Sequence, residues 1–350
     1  MSVLSPFCEA RAYRRAHLEE IRGVRMAADF GDLTAPYRAA RERAALFDRS
    51  DRGLLAVLGP DRATWLNNLV TNIVTGLEEN TGTYAFALNV RGRILFDLNI
   101  LCLPEQRLWL DIDRLAISVA ATHFDRHLFV EKVRIEDQTG QVARLACCGP
   151  SAPELAARLG VPNLLSLPPL TSTVVSDSPE ARLFRHNTGG LAGFELVVSR
   201  GQAAEWWDRL ADLGALPAGY RTWNVLRIEA GIPWLGYDLD DSVLPMETGL
   251  RDLAICFHKG CYLGQEIVER MRARGAVARR LVQLRLDDGE SLLPPVPLVR
   301  DGQMVGKISS LAKHPLRPYW VGLGFLASSV TGFAEISAGD PPRRVTICSV

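Results

Sequence analysis

The strongest constraint on this chain is a junction that occurs twice. Leu55-Ala56-Val57-Leu58-Gly59-Pro60 and Leu145-Ala146-Cys147-Cys148-Gly149-Pro150 are short apolar runs ending in Gly-Pro, offset by 90 residues (145 − 55). The first leads into a helical pattern through Ala63, Leu66 and Leu69, the second into one through Leu155 and Leu159. An apolar run closed by Gly-Pro reads as a strand that stops, and proline suits the first turn of a following helix. Self-similarity at a fixed offset says that one unit is used more than once. Two related units are predicted.

The segments downstream of the two junctions agree. After the first come strand-like runs at 83–89 and 93–102, joined by the turn Val90-Arg91-Gly92, then a strand at 107–112 and a helix at 113–127. After the second come strands near 172–176, 181–186 and 193–198. A helix at 201–214 comes next, with Ala203, Trp206, Trp207, Leu210 and Leu213 on one face. This is α+β, with helices on one face of antiparallel sheets. Another helix is expected at 220–230. From about 281, short apolar runs at 281–286, 304–308, 320–325 and 345–348 alternate with Gly, Pro and Asp turns, the signal of a small β-sandwich or barrel. The expected divisions are 1–140, 141–278 and 279–350. Residues 1–35 are expected to hold an amphipathic helix.

Hydrophobic residues at 47% of 350 supply apolar material for two or three cores. Lys plus Arg equals Asp plus Glu at 40 each, which removes the simplest electrostatic case for a nucleic-acid or membrane-surface partner. Seven scattered cysteines, an odd number, do not form a disulfide framework and suit a reducing compartment. Charges from Glu9 to Arg22 leave no apolar signal core, and no run approaches the ~20 apolar residues that span a bilayer. A cytoplasmic monomer is the expectation.

The densest chemistry lies in Lys259-Gly260-Cys261-Tyr262-Leu263-Gly264-Gln265-Glu266. Two glycines let the backbone turn tightly, and Lys259 and His258 near the thiol favour thiolate. Cys256, His258 and Cys261 do not make a standard zinc signature. His123 and His127, one helical turn apart, read as a solvated helix face rather than a metal pair. No metal site is expected.

The stretch Lys-Gly-Cys-Tyr-x-Gly-Gln-Glu resembles the signature of the YgfZ-type folate-binding proteins, which include members that assist iron–sulfur cluster maturation. The resemblance continues through Thr71-Asn72, 88–97, 193–196, 226–231 and 244–247, segments shared with the glycine-cleavage aminomethyltransferases, and covers residues ~40–350. It implies two ferredoxin-like units, interleaved along the chain, and a C-terminal β-barrel in a cloverleaf around a central folate site. By resemblance, Glu195 is the residue that answers the paired donors of a pterin edge bidentately. Asp97 matches the acid beside the reactive folate nitrogens. Arg227 matches an arginine that meets a folate carboxylate or pairs with Glu229 or a loop. Tyr84 and Trp223 are ring-stacking or core residues, and Lys259 and Cys261 complete the candidate site. The chain has Phe96-Asp97 and Asn72-Ile73 where the transferases have paired acids and Asn-Asp, which puts their reaction in question. The implied function is tetrahydrofolate binding in assembly or repair of iron–sulfur proteins, with Cys261 and Asp97 as working groups and client or assembly proteins as partners. The alternative is an aminomethyl- or methyltransferase of one-carbon metabolism.

Overall fold

In the computed structural model, which describes residues 3–177, 180–275, 277–330 and 335–349, the two Gly-Pro junctions have the same backbone. Strands Arg52–Leu58 and Val142–Cys148 run into Gly59 (φ 111°) and Gly149 (φ 122°), and then into helices Arg62–Asn67 and Ala152–Arg158. That region of φ suits glycine alone. A methyl group on Gly59 would overlap the Lys132 carbonyl, and one on Gly149 would lie 2.6 Å from the Arg43 carbonyl. Both carbonyls lie just ahead of the strands that flank the two runs, Arg134–Asp137 and Ala45–Asp48. Each glycine thus lets a neighbouring strand close in. Gly59→Ala is expected to destabilise the protein by about 2 kcal/mol in urea unfolding, from left-handed strain plus displacement of that strand.

The repeat extends to topology and register. One sheet has the order Gly82–Leu88, Ile94–Leu103, Arg107–Asp113, Arg52–Leu58, Arg134–Asp137. The other has Ser172–Asp177, Glu180–Arg185, Gly193–Ser199, Val142–Cys148, Ala45–Asp48, Leu216–Ala218. The first four strands correspond one to one. Arg52 opposes Asp113 as Val142 opposes Ser199, and Leu58 opposes Arg107 as Cys148 opposes Gly193. Ala45–Asp48 precedes every strand of the first sheet yet pairs in the second, so the sheets interleave along the chain.

Alternation along each strand decides what lies between the sheets. Leu55, Val57, Phe96, Leu98 and Leu110 pack on the helix side with Trp65 and Phe124, and Leu145, Phe194 and Leu196 do so with Leu155 and Trp207. The opposite faces meet each other through Leu54, Leu101, Leu103, Trp109, Phe184 and Val197. Counting by twos from these residues reaches Arg52, Asn99, Asp97, Asp111, Asp113 and Glu195. The seam is therefore apolar at one end and charged at the other.

Strands from Arg279–Asp287 to Arg343–Ser349 form a closed six-stranded barrel, which includes Val296–Arg300 and Ile336–Ala338, two strands the sequence pattern did not show. Helix Tyr220–Glu229 packs between the second sheet and the barrel through Trp223, Val225 and Leu226 against Phe47, Val321 and Leu323. The expected N-terminal amphipathic helix is replaced by an antiparallel hairpin, His17–Ile21 with Val24–Asp29. Its turn, Arg22-Gly23, has φ of 54° and 74°, two successive left-handed residues that no α-helix contains. Among the described residues, no helix is long and apolar enough to cross a membrane.

Candidate functional site

Charges buried in a seam must find partners. Here they form a continuous ribbon across both sheets. Arg52 donates from Nε to Asp111 Oδ1 (2.8 Å) and from Nη2 to Oδ2 (3.1 Å), and Asn99 donates to the same Oδ2 (2.7 Å). Arg144 bridges the sheets, pairing with both Asp111 and Glu195. Glu195, 1% exposed, also takes Arg49 (3.3 Å), Thr188 Oγ1 (3.1 Å) and His186 Nδ1 (3.0 Å). Arg49 ends the ribbon in a two-bond pair with Asp51, at 2.9 Å each.

At the other end, Tyr84 donates its hydroxyl to Asp97 Oδ2 at 3.1 Å. Tyr84 opposes Asn99 across adjacent strands and Phe86 opposes Asp97, so both lie on the seam face. Among the described residues, Asp111, Asp113 and Glu195 have ion-pair partners while Asp97 has none, and Arg52 acts on it only through space. The acids of the ribbon are consequently driven apart. Burial raises the Asp97 carboxyl above its usual range, more than Arg52 and Tyr84 lower it. Burial would raise Glu195 and Asp111 too, but Arg144, with His186 and Arg49 on one and Arg52 on the other, outweighs it and holds both low. Burial and the neighbouring Asp97 push the Tyr84 phenol well up, so it is a donor at any ordinary pH.

The cysteine loop is stitched to the segment that precedes Tyr84. Lys259 Nζ donates to three carbonyls, Asn67 (2.5 Å), Val70 (2.7 Å) and Asn72 (2.7 Å). Burial lowers its pKa to about 8. Its three bonds to carbonyls pin the loop to the 67–72 segment. Asn72 Nδ2 donates to Tyr84 O (2.9 Å) and Leu253 O (3.0 Å), tying the strand to the loop. Tyr262 is buried among Phe86, Leu88 and Ile94, whereas Cys261 beside it is exposed. Gly264 (φ 83°) faces the Asn89 carbonyl so closely that a Cβ would lie 2.7 Å from it.

Other expected residues lie elsewhere. Arg227 is 1% exposed and fully engaged: Asp238 Oδ2 (2.7 Å), Ser310 Oγ (2.7 Å), Asn224 Oδ1 (2.8 Å) and Ile232 O (3.3 Å). It locks helix, loop and barrel together, as in the loop-pairing alternative. Trp223 is buried under the Arg49 guanidinium, 4.6 Å from its ring centroid, with Trp234 edge-on. His127 Nδ1 lies 2.7 Å from the His123 carbonyl, and burial, with His127 and Arg126 nearby, lowers His123 to about 4. Arg49, Arg52, Asp111, Arg144 and His186 were not anticipated. Their signal was a charge at alternate positions of apolar strands, as in Leu108-Trp109-Leu110-Asp111-Ile112-Asp113.

Residues 7–258 match the family described as GCVT N-terminal domain. The chain is 29% identical over 341 residues to an aminomethyltransferase of Rubrobacter xylanophilus, covering 97% of this chain and 91% of that protein. It is 27% identical over 334 residues to an aminomethyltransferase of a Nostoc species, covering 93% and 88%. Its fold matches the crystal structure of glycine cleavage system aminomethyltransferase T from Bartonella henselae with a TM-score of 0.90, at 21% identity and over 100% and 98% of the two chains. With the repeat, the seam and the barrel all in place, the chain belongs to the GCVT family.

Proposed function

We propose that this protein binds a reduced folate in the seam and acts as a folate-dependent aminomethyl- or methyltransferase, with Asp97 as the proton-handling group. The observation that carries this reading is Asp97 itself, the unpaired carboxyl of an otherwise neutralised ribbon, held by Tyr84 and raised by burial. A pair of acids with separated pKa values marks acid–base chemistry, and Asp97 against Glu195 is such a pair. Relatives named aminomethyltransferase that match nearly the whole chain support it.

A reduced pterin fits the residues present. It is flat with a polar edge, and the buried polar atoms without partners among the described residues include the Tyr262 hydroxyl, in the apolar cluster that Tyr84 packs against, and Nε1 of Trp223, whose ring lies under the Arg49 guanidinium. Asp97 and Tyr84 would hold it at one end and Glu195 at the other. Among the side chains bonded to Glu195, Arg49 and Arg144 are 7% exposed and His186 is 25% exposed, so His186 is the one a ligand can displace. When bound, a reduced folate supplies a ring nitrogen that carries a one-carbon unit. Asp97 orients the amine partner and takes or returns a proton at its carboxylate, while Tyr84 fixes the carboxylate by its donated bond. Calorimetric titration with tetrahydrofolate, with turnover of wild type and Asp97→Asn, tests the reading. Absence of saturable tetrahydrofolate binding would sink it.

A second reading, a folate-binding factor in iron–sulfur protein maturation, is favoured by one observation, the exposed sulfur of Cys261 on a firmly anchored loop. Cys261→Ala separates the two. The transferase reading expects unchanged tetrahydrofolate binding and turnover. The maturation reading expects the variant to fail to restore iron–sulfur enzyme activity in cells lacking the gene. Because the side chain is exposed, stability should change by less than about 0.5 kcal/mol in either case.

A further inference from the structure

The two repeats set one arginine each at the same structural position. Arg114 follows strand Arg107–Asp113, Arg200 follows strand Gly193–Ser199, and each opens a 3-10 turn leading into its repeat's second helix. Their amides make matching bonds, Arg114 N to Asp51 O and Arg200 N to Gln141 O, both 2.9 Å. Asp51 and Gln141 are the residues just before strands Arg52–Leu58 and Val142–Cys148. Because the sheets meet face to face, both side chains line one cleft, floored by Arg49, Arg52 and Arg144 and walled by Val3 and Leu4.

Charge in this cleft is uneven. The floor arginines are paired with Asp51, Asp111 and Glu195. The rim arginines are not. Arg114 has no hydrogen bond or ion pair from its side chain to any described residue, and Arg200 donates only to the Leu4 carbonyl at 3.2 Å. Among the described residues, no Asp or Glu lines the cleft. Asp137 acts on Arg114 through space, with its carboxylate taking the Thr139 amide at 2.9 Å. Burial and the charge of Arg200 lower the pKa of Arg114 by more than the nearby Asp137 raises it, the balance of two like charges at one mouth with only a distant counter-charge. Thr139, also in the lining, accepts from Leu54 N at 3.0 Å and keeps its own hydroxyl proton to donate.

We propose that this cleft binds a small oxyanion, a phosphate or clustered carboxylates, between Arg114, Arg200 and Thr139, at a site separate from Asp97. Guanidinium groups present paired donors that match such oxygens, and a half-buried cleft strengthens the attraction over that at an open surface. The inference does not rest on the folate reading.

The test is calorimetric titration of the full chain at low ionic strength with inorganic phosphate and, separately, with triglutamate. Wild type is compared with Arg114→Gln, Arg200→Gln and the double variant. Neither side chain is part of a buried pair, so the variants should melt like wild type. Saturable binding of at least one probe is expected, weakened roughly 10- to 100-fold by each single change and further by added salt. Binding of phosphate alone assigns the site to phosphorylated ligands, and binding of triglutamate alone assigns it to polycarboxylates. Absence of binding by both, or binding that the folded double variant retains, overturns the proposal.

Discussion

Glu195→Gln is expected to lower the unfolding free energy by about 3 kcal/mol at neutral pH, measured by urea unfolding. The carboxylate is buried and joins Arg144 of strand Val142–Cys148 to Arg49, which follows strand Ala45–Asp48, with Thr188 and His186 on the same oxygen as Arg49. Removing one partner of a buried pair commonly costs about 3–5 kcal/mol, because the surviving charge stays buried. The lower figure applies here because Arg144 keeps Asp111 and Arg49 keeps Asp51. Its pH dependence is set by the sign of the shift. The folded-state carboxyl of Glu195 lies well below the ordinary carboxylate value, so its contribution is fully present above that value. It is lost as pH falls from there through the folded-state value. The difference between wild type and Glu195→Gln should therefore be flat through neutral pH and shrink only in acid. A difference that is already small at neutral pH would show that the ribbon is not held by charge.

The parts of this fold that were legible in sequence are those set by local chemistry. The Gly-Pro junctions announced themselves because a left-handed glycine and a helix-starting proline are written in adjacent letters. The repeat carried the expectation of two related antiparallel units, and in the structure their equivalent strands pair in equivalent registers. The hairpin at 17–29 was missed because Glu19-Glu20 breaks period-two alternation and the turn begins with Arg22, a residue not expected at φ 54°. Arg227 and Lys259 were less legible for another reason. Their partners, Asp238 and Ser310 for one and three backbone carbonyls near residue 70 for the other, meet them only through tertiary packing. A lone charge in an apolar pattern shows that something must answer it, and not what. Asp97 and Glu195 were legible as charges on strands, but the ribbon between them depends on Arg52, Asp111 and Arg144, whose common face appears only when the two sheets are set together.

Asp97→Asn is expected to reduce transfer to or from tetrahydrofolate by roughly 10²- to 10⁴-fold while leaving the fold intact or more stable. Asparagine keeps an oxygen for the Tyr84 hydroxyl and differs mainly in having no charge and no exchangeable acid. Asp97 has no ion pair among the described residues, and burial raises its folded-state carboxyl above the ordinary value. A group shifted in that direction contributes stability below its unfolded-state pKa and loses it as pH rises through the folded-state value, so at neutral pH the ionised Asp97 is a burden on the fold. Neutralising it should raise the melting temperature at neutral pH, and the gain should vanish below the ordinary carboxylate range. The same shift moves the acid limb of the wild-type rate profile above the pH at which an exposed aspartate would place it, and that limb should be absent from the residual activity of the variant. These readouts separate the catalytic role from a structural one. A residue that only supports the seam would lose stability together with activity, as Glu195→Gln should, whereas a working carboxylate loses activity and relieves strain. If Asp97→Asn melts earlier than wild type at neutral pH, or turns over at the wild-type rate, Asp97 is not the proton-handling group of the seam.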